Sequence, residues 1–225
     1  MRAGSFLIHG PESVLIDAGM RGNWRKVRRT LRSERVALST VSHLLLTHWH
    51  IDHTGTARAI RQHTGAHVVM HALDEPYLIG AEPPVLSEAT TRRTRFVQSL
   101  LARLYRTCPV DNIVDDGTIL PIVGGIRVIH VPGHTGGSVC YEHIPTRSLF
   151  LGDVLSRRGN TWSLPPDFFT ADPRMARNSL LKLLNLEVEA CYPGHGTPVL
   201  TNASASLMEG IEGLLATPDD STGQG

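Results

Sequence analysis

The chain has 225 residues, 41% of them apolar, which is enough for one sizeable buried core and excludes a chain that is disordered throughout. Its 22 basic and 21 acidic side chains leave a net charge of +1, so the molecule lacks the overall basic field of a dedicated nucleic-acid binder. The 21 glycines and 14 prolines favour a loop-rich α/β or β-rich fold and exclude a coiled coil.

In chain order, Ser5 to His9 and Val14 to Asp17 are short apolar runs separated by Gly10-Pro11-Glu12, the pattern of a hairpin. Asn23 to Arg35 follows as a basic amphipathic helix with Trp24, Val27 and Leu31 on one face. The basic residues around it read as a solvated helix face, with a phosphate-binding surface as the alternative. His43 to Leu46 is a buried strand, a helix runs from about Thr54 to His63, and Ala66 to Met70 is another strand. This β-α-β alternation implies strands covered by helices.

From Ala81 to Pro109 the period changes. Phe96, Leu100 and Leu104 recur every four residues, as do Val97, Leu101 and Tyr105, which predicts a long amphipathic helix inserted like a lid. Short strands return at Gly125 to Val131, Ser138 to His143 and Ser148 to Leu151. A helix from about Pro173 to Leu184 and a strand from Val188 to Tyr192 complete the pattern. One domain over residues 1–217 is the economical reading, with 218–225 as a disordered polar tail.

No apolar run approaches the 18 or so residues of a membrane span, and Phe6-Leu7-Ile8 is too short for a signal peptide. The expectation is a cytoplasmic protein with no membrane partner. Cys108, Cys140 and Cys191 are odd in number and lack CxxC spacing, so neither a disulfide framework nor a thiolate zinc site is indicated.

The chemistry lies in 12 histidines. Thr47-His48-Trp49-His50-Ile51-Asp52-His53 brings four metal-competent side chains together directly after a predicted strand. Alternate residues of extended chain project to one side, so His48 and His50 can reach one ion while Asp52 and His53, at the next helix start, face a neighbouring one. Three later segments place a competent residue at a strand end beside glycine: Pro132-Gly133-His134-Thr135-Gly136-Gly137, Leu151-Gly152-Asp153 and Pro193-Gly194-His195-Gly196. His9, His43, His63, His67, His71, His130 and His143 fit no ligand spacing and read as core or surface residues, with His71 nearest a pocket mouth. Trp162, Phe168 and Phe169 read either as walls of an apolar substrate pocket or as packing beneath a loop.

In the order of these motifs the chain resembles the metallo-beta-lactamase superfamily, over about residues 14 to 197. The resemblance implies an αβ/βα sandwich, with two packed sheets and helices on the outer faces. It implies that His48, His50 and His134 hold one metal, that Asp52, His53 and His195 hold a second, and that Asp153 bridges them. Asp17, in Leu15-Ile16-Asp17-Ala18-Gly19, corresponds to an aspartate that orients the metal loop. Three protein ligands per ion leave room for water, as in catalytic zinc sites. Two Zn2+ per chain are expected, with iron or manganese as alternatives, and two such ions share a water whose pKa falls from 15.7 toward about 7. Asp52 is the candidate proton shuttle.

Fold resemblance alone does not name a substrate. Only 30 residues follow His195, and none is Lys, Arg or Tyr, which argues against the glutathione-binding extension of a glyoxalase II. No later histidine marks a tRNA-processing nuclease, and only Tyr192 lies where lactonases place a tyrosine. The expected activity is a dinuclear-metal hydrolase opening an ester, thioester or lactone of a small-molecule substrate. The alternatives are a mononuclear iron persulfide dioxygenase using His48, His50 and His134, and a phosphodiesterase or nuclease suggested by Arg21 to Arg35. The oligomeric state stays open, a homodimer included.

Overall fold

The computed structural model describes residues 3–83 and 106–217. The expected helical insert falls largely on 84–105 and the expected tail on 218–225, both outside the described residues.

The strands sort the apolar residues into layers. Along β2 (Ser13–Ile16), Val14 and Ile16 join one apolar cluster while Leu15 joins another. The same alternation continues through β3 (Val41–Leu45) and β4 (His67–His71), where Leu45 and Val69 share the first cluster and Leu44, Val68 and Met70 the second. Both faces of these strands are therefore covered, as their continuous apolar runs require. They pair in parallel, with β5 (Asn112–Val114) parallel beyond β4 and β1 (Phe6–Ile8) antiparallel to β2, giving the order β1-β2-β3-β4-β5.

The second sheet contains β6 (Ile119–Leu120), β7 (Ile126–His130), β8 (Val139–His143), β9 (Ser148–Gly152) and β12 (Ala190–Pro193), in the order β12-β9-β8-β7-β6. Here Val139, Tyr141 and Phe150 face the first sheet's cluster, whereas Cys140, Leu149 and Leu151 face outward to a third. The layers thus run helix, sheet, sheet, helix, an α/β sandwich with a shared apolar seam. All three cysteines are buried, free thiols.

Helix α1 (Trp24–Ser33) buries Val27 and Leu31 against the first sheet and stacks Trp24 on His63, ring centroids 4.5 Å apart. Instead of one helix from Thr54 to His63 there are two, α2 (Ile51–Thr54) and α3 (Ala57–Thr64). Tertiary contact breaks the run. Gly55 passes so close to Arg21 that a Cβ there would lie 2.4 Å from the Arg21 nitrogen, and the Thr56 hydroxyl donates to the Met20 carbonyl at 2.7 Å. The short α4 (Glu75–Ile79) follows β4. On the other face α5 (Pro173–Ser179) starts from an N-cap, with Asp172 accepting the Met175 N–H at 2.8 Å, and passes into a single 3-10 turn at Leu180–Leu183.

α4, β5 and β6 were not foreseen, nor were two further elements. The hairpin β10 (Ser156–Arg158) and β11 (Thr161–Ser163) occupies a segment read as loop, and α6 (Ala203–Ala216) follows β12. Packing of Leu207 and Ile211 into the outer core sustains α6 despite its serines and two glycines. Trp162 is the partner of this helix: it is 5% exposed, packs in the same cluster and donates from Nε1 to the Ser206 hydroxyl at 3.2 Å. Trp162 thus packs beneath this helix and borders the cleft beside it, not the cavity at the site described below. Phe168 and Phe169 lie side by side, Phe168 being 62% exposed, and neither lines the cavity beside the site described below.

A Cβ at position 210 would sit 2.2 Å from the Trp162 ring. Gly210→Ala is therefore expected to destabilise the protein by about 1–3 kcal/mol, because neither the helix nor the indole can yield without opening the outer core. Urea denaturation would show it as a lower midpoint at unchanged slope.

Candidate metal centre

The site lies where the loops after β2, β3 and β4 meet those after β7, β9 and β12. After β3 the chain bends at Thr47 and again at Trp49, then enters α2, which carries Asp52 and His53. His134 sits on the β7–β8 loop, Asp153 directly after β9 and His195 directly after β12. All seven side chains converge, in two adjoining groups: His48, His50 and His134, and Asp52, His53, Asp153 and His195. Within each group the potential ligand atoms lie within 4.8 Å of one another.

Asp153 stands between them. Its carboxylate oxygens lie 3.1 Å from His53 Nε2 and 3.3 Å from His195 Nε2 on one side, and 3.7 Å from His134 Nε2 and 4.0 Å from His48 Nε2 on the other. Asp52 Oδ2 lies 3.0 Å from His195 Nε2. Gly194 permits this density, since a Cβ there would come within 2.5 Å of Asp153 Oδ1 and 2.7 Å of the His53 ring.

The two groups differ in charge. Burial, together with neighbouring imidazoles, holds His48 and His50 well below the ordinary histidine range, and burial takes His134 down to about 4. These three are neutral, the ligand-competent form. In the other group burial opposes the charged forms, but the carboxylates and imidazoles outweigh it. Asp153 and Asp17 hold His53 well above its usual range, and hydrogen bonds to Asp153 and Asp52 raise His195 to about 9. Asp153 is held well below the carboxylate range by His53 and His195, and Asp52 is lowered by the same two histidines.

Nε2 of His48 and of His134 are buried without a hydrogen-bond partner, and His53 Nε2 and Asp153 Oδ1, 3.1 Å apart, have no partner but each other. Such an atom costs about 1–3 kcal/mol when left unpaired, and two unpaired imidazole nitrogens in a cluster of ligand-competent side chains fit bound cations better than a polar core. Nitrogen and carboxylate donors of this kind suit divalent transition metals.

Two aspartates outside the set shape it. Asp17, at φ 58°, accepts hydrogen bonds from the Thr47 N–H at 2.9 Å, the Thr47 hydroxyl and His53 Nδ1 at 2.7 Å. It thereby turns His53 Nε2 toward Asp153. Asp74 was missed in the sequence because, followed by Glu75-Pro76, it reads as an ordinary helix N-cap. It occupies that position on α4 but caps nothing. Its fully buried carboxylate reaches across to accept from the Trp49 N–H at 3.0 Å, the Thr135 hydroxyl at 2.7 Å and the Gly137 N–H at 2.7 Å. Burial pushes its pKa up to about 6 against these hydrogen bonds.

The histidines expected to play other parts stay outside both groups. His71 stacks on His130 at 4.1 Å and accepts the Leu73 N–H, while His143 bonds Thr146 and the Val123 carbonyl. Tyr192 stacks on Phe150, centroids 5.0 Å apart, within the seam between the sheets.

The family model of the Metallo-beta-lactamase superfamily matches residues 5–195, and the chain belongs to that superfamily. The chain is 30% identical over 202 residues to the probable metallo-hydrolase YflN of Bacillus subtilis, covering 83% of this chain and 76% of that one. It is 26% identical over 206 residues to an atrochrysone carboxyl ACP thioesterase of Aspergillus fumigatus, covering 90% of this chain but 53% of the relative, about half its length. Among solved structures, TTHA1623 in a di-iron-bound form superposes with a TM-score of 0.66 at 27% identity, over 90% of this chain and 91% of that one. With the superfamily and relatives named as hydrolases, the chain is a metal-dependent hydrolase whose His/Asp clusters suit divalent metals. No helix among the described residues is long and apolar enough to cross a membrane.

Proposed function

We infer that the protein is a dinuclear zinc hydrolase that opens an ester, thioester or lactone of a small molecule. The observation that carries this is Asp153, whose carboxylate adjoins both donor groups and so suits a pair of ions rather than one. His48, His50 and His134 would hold one ion, Asp52, His53 and His195 the other, with Asp153 shared. Bound there, the pair supplies Lewis acidity toward a carbonyl and acidifies water.

The remaining work falls to the chain. Asp17 fixes the His53 ring, and Asp74 holds the His48–His50 loop against the His134 loop. Asp52, with 26% of its side chain exposed, is the site carboxylate most open to the cleft, placed to take a proton and return it to the departing oxygen or sulfur. The thioesterase among the relatives supports acyl transfer to water as the reaction class. A persulfide dioxygenase would use one iron on His48, His50 and His134 alone; the equally assembled second group favours the two-metal hydrolase.

Elemental analysis of the purified protein, followed by a screen of esters, thioesters and lactones, tests the reading. About two zinc ions per chain and turnover of at least one class are expected. A single iron with oxygen consumption on a persulfide would overturn it.

A further inference from the structure

Beside His50 and His134 lies a cavity of about 370 Å3, within the range of roughly 300–1,000 Å3 usual for small-molecule sites. Its walls include Trp49, Leu73, Pro76, Tyr77, Glu82 and Ala171. The Tyr77 ring stacks on Trp49, centroids 4.8 Å apart and planes at 21°, and Asp74 holds the Trp49 backbone. The aromatic wall is thus fastened to the same loop that carries His48 and His50. Leu73 is 57% exposed at this cavity, an apolar surface that an apolar ligand would cover.

The charge of the lining is one-sided. Among the described residues no lysine or arginine lines the cavity, and apart from the two histidines of the site its charged group is Glu82. Glu82 is exposed, but its N–H donates to the Pro76 carbonyl at 3.0 Å, and its carboxylate adjoins the Tyr77 phenol, whose pKa is raised by burial and by this charge. A carboxylate entering here would lose water against apolar walls and face Glu82. A cation would meet both Glu82 and the face of an aromatic ring.

We propose that this cavity receives the non-reacting part of the substrate and selects an apolar chain ending in a neutral or cationic group over one ending in a carboxylate. The proposal rests on the hydrolase reading and deepens it by naming a substrate class. Glu82 sets the charge preference and Tyr77 the apolar wall; neither touches the reacting bond.

The test compares zinc-loaded wild type with Glu82→Gln on para-nitrophenyl esters of hexanoate, adipate (free carboxylate end) and 6-(trimethylammonio)hexanoate. The readout is the ratio of kcat/KM between the cationic and anionic esters, so a general loss of fold or metal cancels. Wild type is expected to favour the cationic ester by about tenfold, with hexanoate between them, and Glu82→Gln to remove most of that preference. A wild type that hydrolyses the adipate ester as well as the cationic one, or a ratio unmoved by the substitution, overturns the proposal. If no ester is cleaved, the hydrolase reading passes to the thioester and lactone screen, and the cavity is judged by binding. The Trp49 indole resonance is then titrated with 1-hexanol, 6-(trimethylammonio)hexan-1-ol and 6-hydroxyhexanoate in both proteins. The same order, lost in Glu82→Gln, supports the cavity's selectivity; equal affinities, or an acid bound tightest, overturn it. Comparing the two proteins cancels any contact between the acid and the zinc.

Discussion

Asp153→Ala is expected to lower turnover on the order of a thousandfold and to cost the protein metal. No other side chain in the centre stands within 4.0 Å of His48, His53, His134 and His195 at once. Its removal takes the negative charge from between four imidazoles, two of which, His53 and His195, are held above their usual pKa range by that same carboxylate. The variant therefore gathers mutually repelling rings around a void instead of a shared ligand. Metal content per chain and kcat/KM on a cleaved substrate would be measured together. Retention of both ions with turnover within tenfold of wild type would remove Asp153 from the centre of the mechanism.

Asp74→Ala is expected to be the most damaging substitution away from the seven potential ligands. It strips the acceptor from two backbone N–H groups and one hydroxyl, all buried, at about 1–3 kcal/mol for each donor left unpaired. The protein should lose about 3 kcal/mol or more of stability, and metal affinity should fall about 10–100-fold because the two histidine loops lose their common anchor. Asparagine is a poor substitute. Two of the groups facing Asp74 are backbone N–H groups on different carboxylate oxygens, so a side-chain amide turned either way sets its own N–H against one of them. Urea denaturation of the metal-free chain reads the first effect and zinc titration the second; stability lost with zinc affinity unchanged would make Asp74 a fold residue only.

What was legible in the sequence follows from how local each signal is. Val14 to Ile16, Leu44 to Leu46 and Val68 to Met70 declare buried strands because each needs apolar residues on both faces. The convergence of His48 with His134, Asp153 and His195 was anticipated from the order of the motifs and the superfamily they resemble, since each glycine-flanked loop alone would equally suit an ordinary turn. By contrast α6, with Gly210 and Gly213 in its interior, owes its existence to Trp162 and the outer core, which no local propensity records. Asp74 was hidden for a related reason: its neighbours suggest a helix cap, while its partners lie 25, 61 and 63 residues away. The break between α2 and α3 was invisible because Met20 and Arg21 impose it.

The two sheets divide the centre between them. The chain up to β4 supplies His48, His50, Asp52 and His53, and the chain from β7 onward supplies His134, Asp153 and His195, so neither donor group is complete within one half. Bound ions would therefore act as rivets through the seam, adding to the few direct links such as the Tyr141 hydroxyl on the Leu46 carbonyl and the Val139 N–H on the Thr47 carbonyl. At free metal a hundredfold above its dissociation constant, the riveted form gains about 2.7 kcal/mol over the bare one. A cell short of metal would then hold not only an idle enzyme but a looser molecule, whose halves part more readily and whose lifetime against proteases follows the metal supply.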